Sequence, residues 1–226
     1  MPNLSNRNSM NNTSQRIILE SQEPRPFFEF TKRTMDIIGA LIGLILLSGI
    51  LIIIAIIIKI EDNKGPVFFS QVRVGKNGKE FRMFKFRSMV SNAEEKLEEL
   101  LKYNEASGPM FKMKDDPRIT KIGKIIRKTS LDELPQLINV LKGDMSLVGP
   151  RPPLPREVIE YKDSDTRRLL IKPGCTGLWQ VSGRSNVGFE EMVELDVYYI
   201  YNRTIILDIK IILKTITLLL GSKDAY

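Results

Sequence analysis

The most uneven feature of the chain is one long apolar run. Ile37 to Ile58 carries no charge and a single hydroxyl, Ser48. At about 1.5 Å per residue such a helix is roughly 33 Å long, sufficient to cross a bilayer core of about 30 Å. Lys32 and Arg33 precede the run, and Lys59, Lys64 and Arg73 follow it, so neither side is clearly the basic, cytoplasmic one. Ser48-Gly49 lies in the middle, where a helix can bend. The apolar length favours a spanning helix. The basic residues at both ends favour a hairpin-like helix that enters and leaves on one face.

A hairpin is predicted next. Val67 to Val74 and Lys79 to Phe86 are strand-like, and Asn77-Gly78 between them is a type I′ turn signal. Ser91 with Glu94 reads as a capping box opening a helix through about Tyr103. Gly108-Pro109 and Asp115-Asp116-Pro117 mark a loop. Ile119 to Lys128 is predicted as a short helix interrupted by Gly123, and Leu131 to Leu141 as another, stopped by Gly143. Pro150, Pro152, Pro153 and Pro155 enforce an extended segment. Glu157–Leu170 and Glu190–Asn202 read as helices, with a loop at Lys172–Gly177. Ile205 to Leu220 is apolar but studded with Asp208, Lys210, Lys214, Thr215 and Thr217, which suits an interfacial amphipathic helix. Residues 1–24, rich in Asn, Ser and Gln, read as a disordered tail and not as a secretory signal. Phe27, Phe28 and Phe30 then suit the headgroup region.

Composition narrows the chemistry. The 226 residues contain no histidine, which excludes His metal sites, Ser-His-Asp triads and His general bases. The lone Cys175 allows neither an internal disulfide nor a Cys-rich zinc site, and suggests a reducing compartment. Carboxylates, Lys, Arg, hydroxyls and a hard metal ion are what is left. The net charge of +7 favours an anionic partner: phosphate, nucleic acid or an acidic lipid surface.

The densest candidate is Arg127-Lys128-Thr129-Ser130-Leu131-Asp132-Glu133-Leu134-Pro135-Gln136. Read structurally, Asp132 is an N-cap, or Ser130 and Glu133 form a capping box. Read chemically, a carboxylate beside Arg127 and Lys128 stays ionised and can attack phosphorus. A nucleophile approaching a polyanion needs cations or a divalent ion to offset repulsion. Lys85, Arg87, Arg127, Arg151 and Arg184 supply such cations, although each alone reads equally as a solvated charge or ion-pair partner. Prolines on both sides of Arg151 stiffen its backbone and aim the guanidinium. Pro173 to Arg184 is glycine-rich, so its backbone can approach a phosphate, and Trp179 or Gln180 can meet a base or pack in the core.

Several motifs occur in order: the hydrophobic entry, Lys85-Phe86-Arg87-Ser88-Met89, Ser130 to Gln136, Gly149-Pro150-Arg151-Pro152 and Gly177-Leu178-Trp179-Gln180-Val181. Together they resemble the bacterial sugar transferases, the monotopic phosphoglycosyl transferases, from about Thr31 to the C-terminus. The resemblance implies transfer of a sugar 1-phosphate from a UDP-sugar to polyprenyl (undecaprenyl) phosphate, with release of UMP and a requirement for Mg2+. It implies that Asp132 and Glu133 are catalytic, with a covalent phosphosugar on Asp132, which also contacts the metal. Lys85, Arg87, Arg127, Arg151 and Arg184 are then candidate phosphate ligands.

The resemblance also turns the membrane reading towards a re-entrant helix bent at Ser48 and Gly49, where the family commonly has Ser-Pro. The expected fold is α+β and mostly helical. It divides into a tail and lead-in (1–30), a re-entrant helix (31–60) and a cytoplasmic catalytic domain on the inner membrane (61–226). Gly108 to Thr120 resembles the exopolysaccharide and capsule branch, and the chain resembles the minimal catalytic form, without the N-terminal multi-span domain of larger relatives. Membrane lipids are expected partners and nucleic acid is not; a homo-oligomer is left open. A ternary-complex membrane transferase and a non-catalytic basic membrane adaptor are the competing readings.

Overall fold

The computed structural model describes residues 25–90, 92–93, 95–105, 113, 115–183 and 187–221. The predicted tail, the Ser91/Glu94 capping box, most of Gly108–Lys114 and Arg184 lie outside them. One helix, α1 (Pro26–Glu61), runs without a non-helical residue through Ser48-Gly49. Ser48 Oγ donates to Ile45 O at 2.8 Å, and a side chain at Gly49 would meet nothing within 4 Å. Around this middle stretch Ile45, Leu46, Ile50, Ile52 and Ile53 are exposed, whereas Ala40, Ile54 and Ile58 are buried.

Both ends of α1 are fastened to one body. Near the start, Lys32 Nζ donates to Asp208 at 2.7 Å and to Val148 O at 3.1 Å, while Asp36 accepts from Ser146 Oγ and Leu147 N, each at 2.9 Å. At the far end Glu61 accepts from Lys121 N and Ile122 N, and Asp62 pairs with Arg87 at 2.8 Å.

The alternating run after α1 forms the expected antiparallel hairpin, β1 (Phe68–Val74) and β2 (Glu80–Phe86), with Phe68 opposite Phe86 and Val74 opposite Glu80. Asn77 and Gly78 both take positive φ, as expected, inside a three-residue turn, 76–78. A short helix, α2 (Leu97–Leu100), continues as a 3-10 turn to Tyr103. Helix α3 (Lys121–Lys128) is opened by Thr120, whose hydroxyl accepts from Gly123 N at 3.0 Å. Gly123 does not interrupt this helix. It lets α3 rest on the Ser88 carbonyl, with which any Cβ would collide.

The predicted helix at Leu131–Leu141 is split into a 3-10 turn, Leu131–Glu133, and α4 (Gln136–Lys142). The predicted loop at 172–177 contains β4 (Gly174–Thr176), which pairs in parallel with β3 (Ser146–Val148). The predicted helix at 157–170 is α5 (Pro155–Ile159) and a separate 3-10 turn, Asp165–Leu169. Then come α6 (Leu178–Ser182), α7 (Phe189–Asn202) and α8 (Ile205–Gly221).

Helix α8 is amphipathic in an inverted sense. Asp208 is fully buried on Lys32 and Tyr199, whereas Ile206, Ile209, Leu213, Ile216 and Leu219 are exposed. The main core lies between β3, α7 and α8, around Val148, Leu169, Ile171, Tyr199, Ile200 and Ile211. The fold is mostly helical with small sheets, and α1 is the one helix among the described residues long and apolar enough to cross a membrane.

Candidate active site

The site begins at the join between α3 and the 3-10 turn. Ser130 sits in the left-handed region (φ 55°), which ends α3 and opens the turn that holds Asp132 and Glu133. Neither capping arrangement forms: Ser130 makes no side-chain cap, and Asp132 and Glu133 lie inside the turn. Asp132 is buried, and among the described residues no other side chain hydrogen-bonds its carboxylate. A helix cap therefore does not account for the pair.

Strand β2 brings Lys85 to this turn. Asn139, fully buried on α4, accepts from Phe84 N at 2.9 Å and donates to Arg82 O at 2.7 Å, locking α4 to β2. In that register Lys85 Nζ lies 2.6 Å from Glu133 Oε1. Burial alone would raise the Glu133 carboxyl, but Lys85, then Arg151 and Arg73, outweigh it and hold it below the ordinary range. For Asp132 burial wins. Its carboxyl is raised to about 6, with Glu133 adding to the shift and Lys85 and Arg127 opposing it. Two adjacent carboxyls thus sit on opposite sides of the ordinary value, the pattern expected of a pair with divided roles.

The other predicted cations divide. Arg127, half-buried on α3, acts on Asp132. Arg151 follows β3, donates to Glu157 Oε2 at 3.2 Å and acts on Glu133. Its backbone is gripped by a buried ion pair: Arg168 Nη2 reaches Arg151 O at 3.4 Å, and Arg168 is itself held by Asp196 at 2.8 Å. Arg87 has another engagement. It is buried and donates to the Asp62 carboxylate at 2.8 Å and to Asp62 O at 2.6 Å, at the end of α1.

Arg73 was not among the predicted site residues, because a strand position facing the core gives no sign of a cation. It is buried, donates to Pro152 O at 2.9 Å and Gln71 Oε1 at 2.8 Å, and leaves Nε without a partner. Burial, with Arg151 adding, lowers it to about 9.

The glycines of the third motif serve packing. A Cβ on Gly174 would strike Gly149, so both are needed where β3 and β4 meet. Burial pushes the Cys175 thiol up, which suits packing rather than nucleophilic use. Trp179 Nε1 and Gln180 Oε1 are buried without hydrogen-bond partners in the structure.

Residues 27–222 match the family described as bacterial sugar transferase. The chain is 57% identical over 190 residues to the galactosyl transferase CpsE of Streptococcus agalactiae, covering 84% of this chain and 42% of that protein. It is 48% identical over 205 residues to the undecaprenyl-phosphate galactose phosphotransferase of Salmonella typhimurium, covering 87% and 42%. It is 39% identical over 206 residues to the exopolysaccharide production protein ExoY of Sinorhizobium fredii, covering 89% and 91%. The chain thus spans about two-fifths of the length of the first two relatives and nearly all of the third. With the family matched over most of its length, the chain belongs to the bacterial sugar transferases.

Proposed function

We propose that this protein transfers a sugar 1-phosphate from a UDP-sugar to polyprenyl phosphate, through a covalent phosphosugar on Asp132. The observation that carries the proposal is a buried Asp132, unused as a cap, beside the Lys85–Glu133 ion pair. In the first half-reaction an Asp132 oxygen bonds to the sugar-bearing phosphorus. The bond from that phosphorus to the bridging oxygen breaks, and UMP leaves with the electron pair. In the second, a phosphate oxygen of the acceptor attacks the same phosphorus and the Asp132 carboxylate departs, giving polyprenyl diphosphate sugar. The acceptor phosphate is already largely ionised, so a chain without histidine suffices.

Arg127, Arg151 and Lys85 surround the pair and would offset the donor's charge. Mg2+ is part of the reading. Asp132 and Glu133 would hold it, and the described residues contain no group of three or more acidic, Cys or His ligands. Two carboxylates completed by substrate phosphate and water suit this hard octahedral ion. Bound there, it would neutralise negative charge on the diphosphate.

The attachment of Lys32 and Asp36 to the same body as Glu61 and Asp62 supports a re-entrant α1, since a helix spanning the bilayer would put these groups on opposite faces. The exposed apolar faces of α1 and α8 support membrane association. The relative named for exopolysaccharide production supports a role in initiating exopolysaccharide or capsule assembly, at the cytoplasmic face of the inner membrane where nucleotide sugars are available. The relatives named for galactose make UDP-galactose the donor to test first. The test is UMP release over a panel of UDP-sugars, with and without polyprenyl phosphate. Turnover should require both substrates. A protein that binds acidic lipid and releases no UMP from any donor would contradict the proposal.

A further inference from the structure

Beside the start of α1 lie two cations that the proposed reaction does not use, Arg33 on the helix and Lys172 just before β4. Arg33 donates Nη1 to Val140 O at 2.6 Å and Nη2 to Leu141 O at 2.8 Å, closing the C-terminus of α4. Gly143 follows in the left-handed region (φ 89°), so the chain turns there without a side chain. The place a Cβ would occupy on Gly143 has Arg33 Nη2 at 3.5 Å and Lys172 Nζ at 3.6 Å. Measured from that common point, the two cations lie within about 7 Å of each other, close enough to repel.

Among the described residues no carboxylate pairs directly with Lys172. Among the described residues it makes no hydrogen bond or ion pair. The charges that face it are Arg33, Asp36, Lys76 and Glu29. Both acids are engaged elsewhere: Asp36 with Ser146 and Leu147, and Glu29 with Arg203 at 2.7 Å. Burial, reinforced by Arg33, holds the Lys172 ammonium below its ordinary range. Arg33 holds the C-terminal end of α4, whereas Asp132 and Glu133 lie in the turn that precedes its N-terminal end.

Size and position define the ligand. Phosphate oxygens are about 2.5 Å apart, so one phosphate accepting from two nitrogens at about 2.8 Å bridges a gap of up to about 8 Å. Arg33 lies four residues before Ile37, or about 6 Å along the helix, at the depth of the headgroup layer. The exposed Ile38, Leu41 and Ile42 follow it at the start of the apolar run.

We propose that Arg33 and Lys172, over Gly143, seat the phosphate of an anionic membrane lipid; this rests on the reading in which Ile37–Ile58 is embedded in the bilayer. The lipid is either an acidic phospholipid or the polyprenyl phosphate acceptor waiting outside the Asp132 site.

The full chain in dodecyl maltoside is titrated with phosphatidylglycerol, polyprenyl phosphate or phosphatidylcholine while its unfolding temperature is followed. An anionic lipid should raise the midpoint, and Lys172→Gln should need at least roughly tenfold more of it, one lost charge-assisted contact. Lys172→Arg should titrate like the wild type. So should Lys64→Gln, which removes an exposed cation beyond the other end of α1. A response to phosphatidylglycerol alone assigns the seat to bulk lipid, and a response to polyprenyl phosphate alone assigns it to the acceptor.

Undiminished binding by Lys172→Gln, or an equal loss in Lys64→Gln, would overturn the proposal. So would a lowered lipid-free midpoint in Lys172→Gln, which would make Lys172 a cap of α4. Flotation with phosphatidylcholine vesicles tests the embedding separately. Wild type and Lys172→Gln should float alike, and a wild type left at the bottom contradicts the membrane reading whatever the titration gives.

Discussion

Lys85 Nζ lies 2.6 Å from Glu133 Oε1, and the neighbouring Asp132 shares no such bond. The ammonium therefore holds the second carboxylate of the pair and leaves the first oxygen-rich, buried and available. Glu133 is kept charged by its neighbours, while Asp132 carries the cost of burial. That asymmetry is what separates a nucleophile from a positioning or metal-holding group.

Asp132→Asn should abolish transfer and stabilise the fold. The folded-state value of about 6 lies above the unfolded 3.8, so protonation favours the native state. The contribution of Asp132 is fully favourable below the unfolded value and is lost as pH rises through about 6. At pH 7.5 the charged form costs on the order of 1–3 kcal/mol, and the amide relieves this. The unfolding midpoint of Asp132→Asn should exceed that of the wild type at pH 7.5, with the gap closing towards pH 5. A lower midpoint across this range would make Asp132 a structural carboxylate.

The acid limb of kcat/KM should fall near the Asp132 value of about 6, because attack needs the ionised form. Lys85 is the largest charge opposing that shift. Lys85→Met should therefore move the limb to higher pH as well as lower the rate. A limb that stays in place would mean that another group titrates.

Arg151 and Arg87 should behave differently. Arg151→Ala is expected to weaken UDP-sugar turnover roughly 10- to 100-fold, the loss of one charge-assisted phosphate contact. Distant Lys79→Ala should be nearly silent. Arg87→Ala removes the clasp on Asp62, so it should lower the unfolding temperature and leave the KM for donor close to wild type. Equal kinetic effects of the two arginine variants would return Arg87 to the substrate site.

A re-entrant α1 puts its two ends on one side of the membrane. Asn6→Cys and Asn77→Cys, each in a Cys175→Ser background, should both resist an impermeant thiol reagent in intact cells and react after lysis. Labelling of Asn6→Cys alone in intact cells would show a spanning helix.

Local signals in the sequence were reliable where the cause was local. Strand alternation around Asn77-Gly78 gave the hairpin, and the 14-residue α7 matched its predicted span to within one residue. The Leu131–Leu141 pattern misled because Pro135, which has no N–H to donate, separates the 3-10 turn from α4 within one apolar period. Strands β3 and β4 were illegible, since three residues are too few for a period and their pairing joins segments far apart in the chain. The Asp132-Glu133 pair stood out in the sequence, but its supports did not. Lys32–Asp208 and Arg168–Asp196 are buried pairs between distant elements. From sequence alone each partner reads as an ordinary surface charge.

Intact-protein mass spectrometry of the enzyme mixed with its UDP-sugar, without polyprenyl phosphate, reads the phosphosugar on Asp132 itself. The protein should gain the mass of one sugar phosphate, release a stoichiometric burst of UMP, and yield the adduct on the peptide containing Asp132. Adding polyprenyl phosphate should discharge it. A wild-type enzyme that turns over with both substrates, yet forms no adduct and releases no UMP from donor alone, would rule out the aspartyl intermediate in favour of direct transfer in a ternary complex.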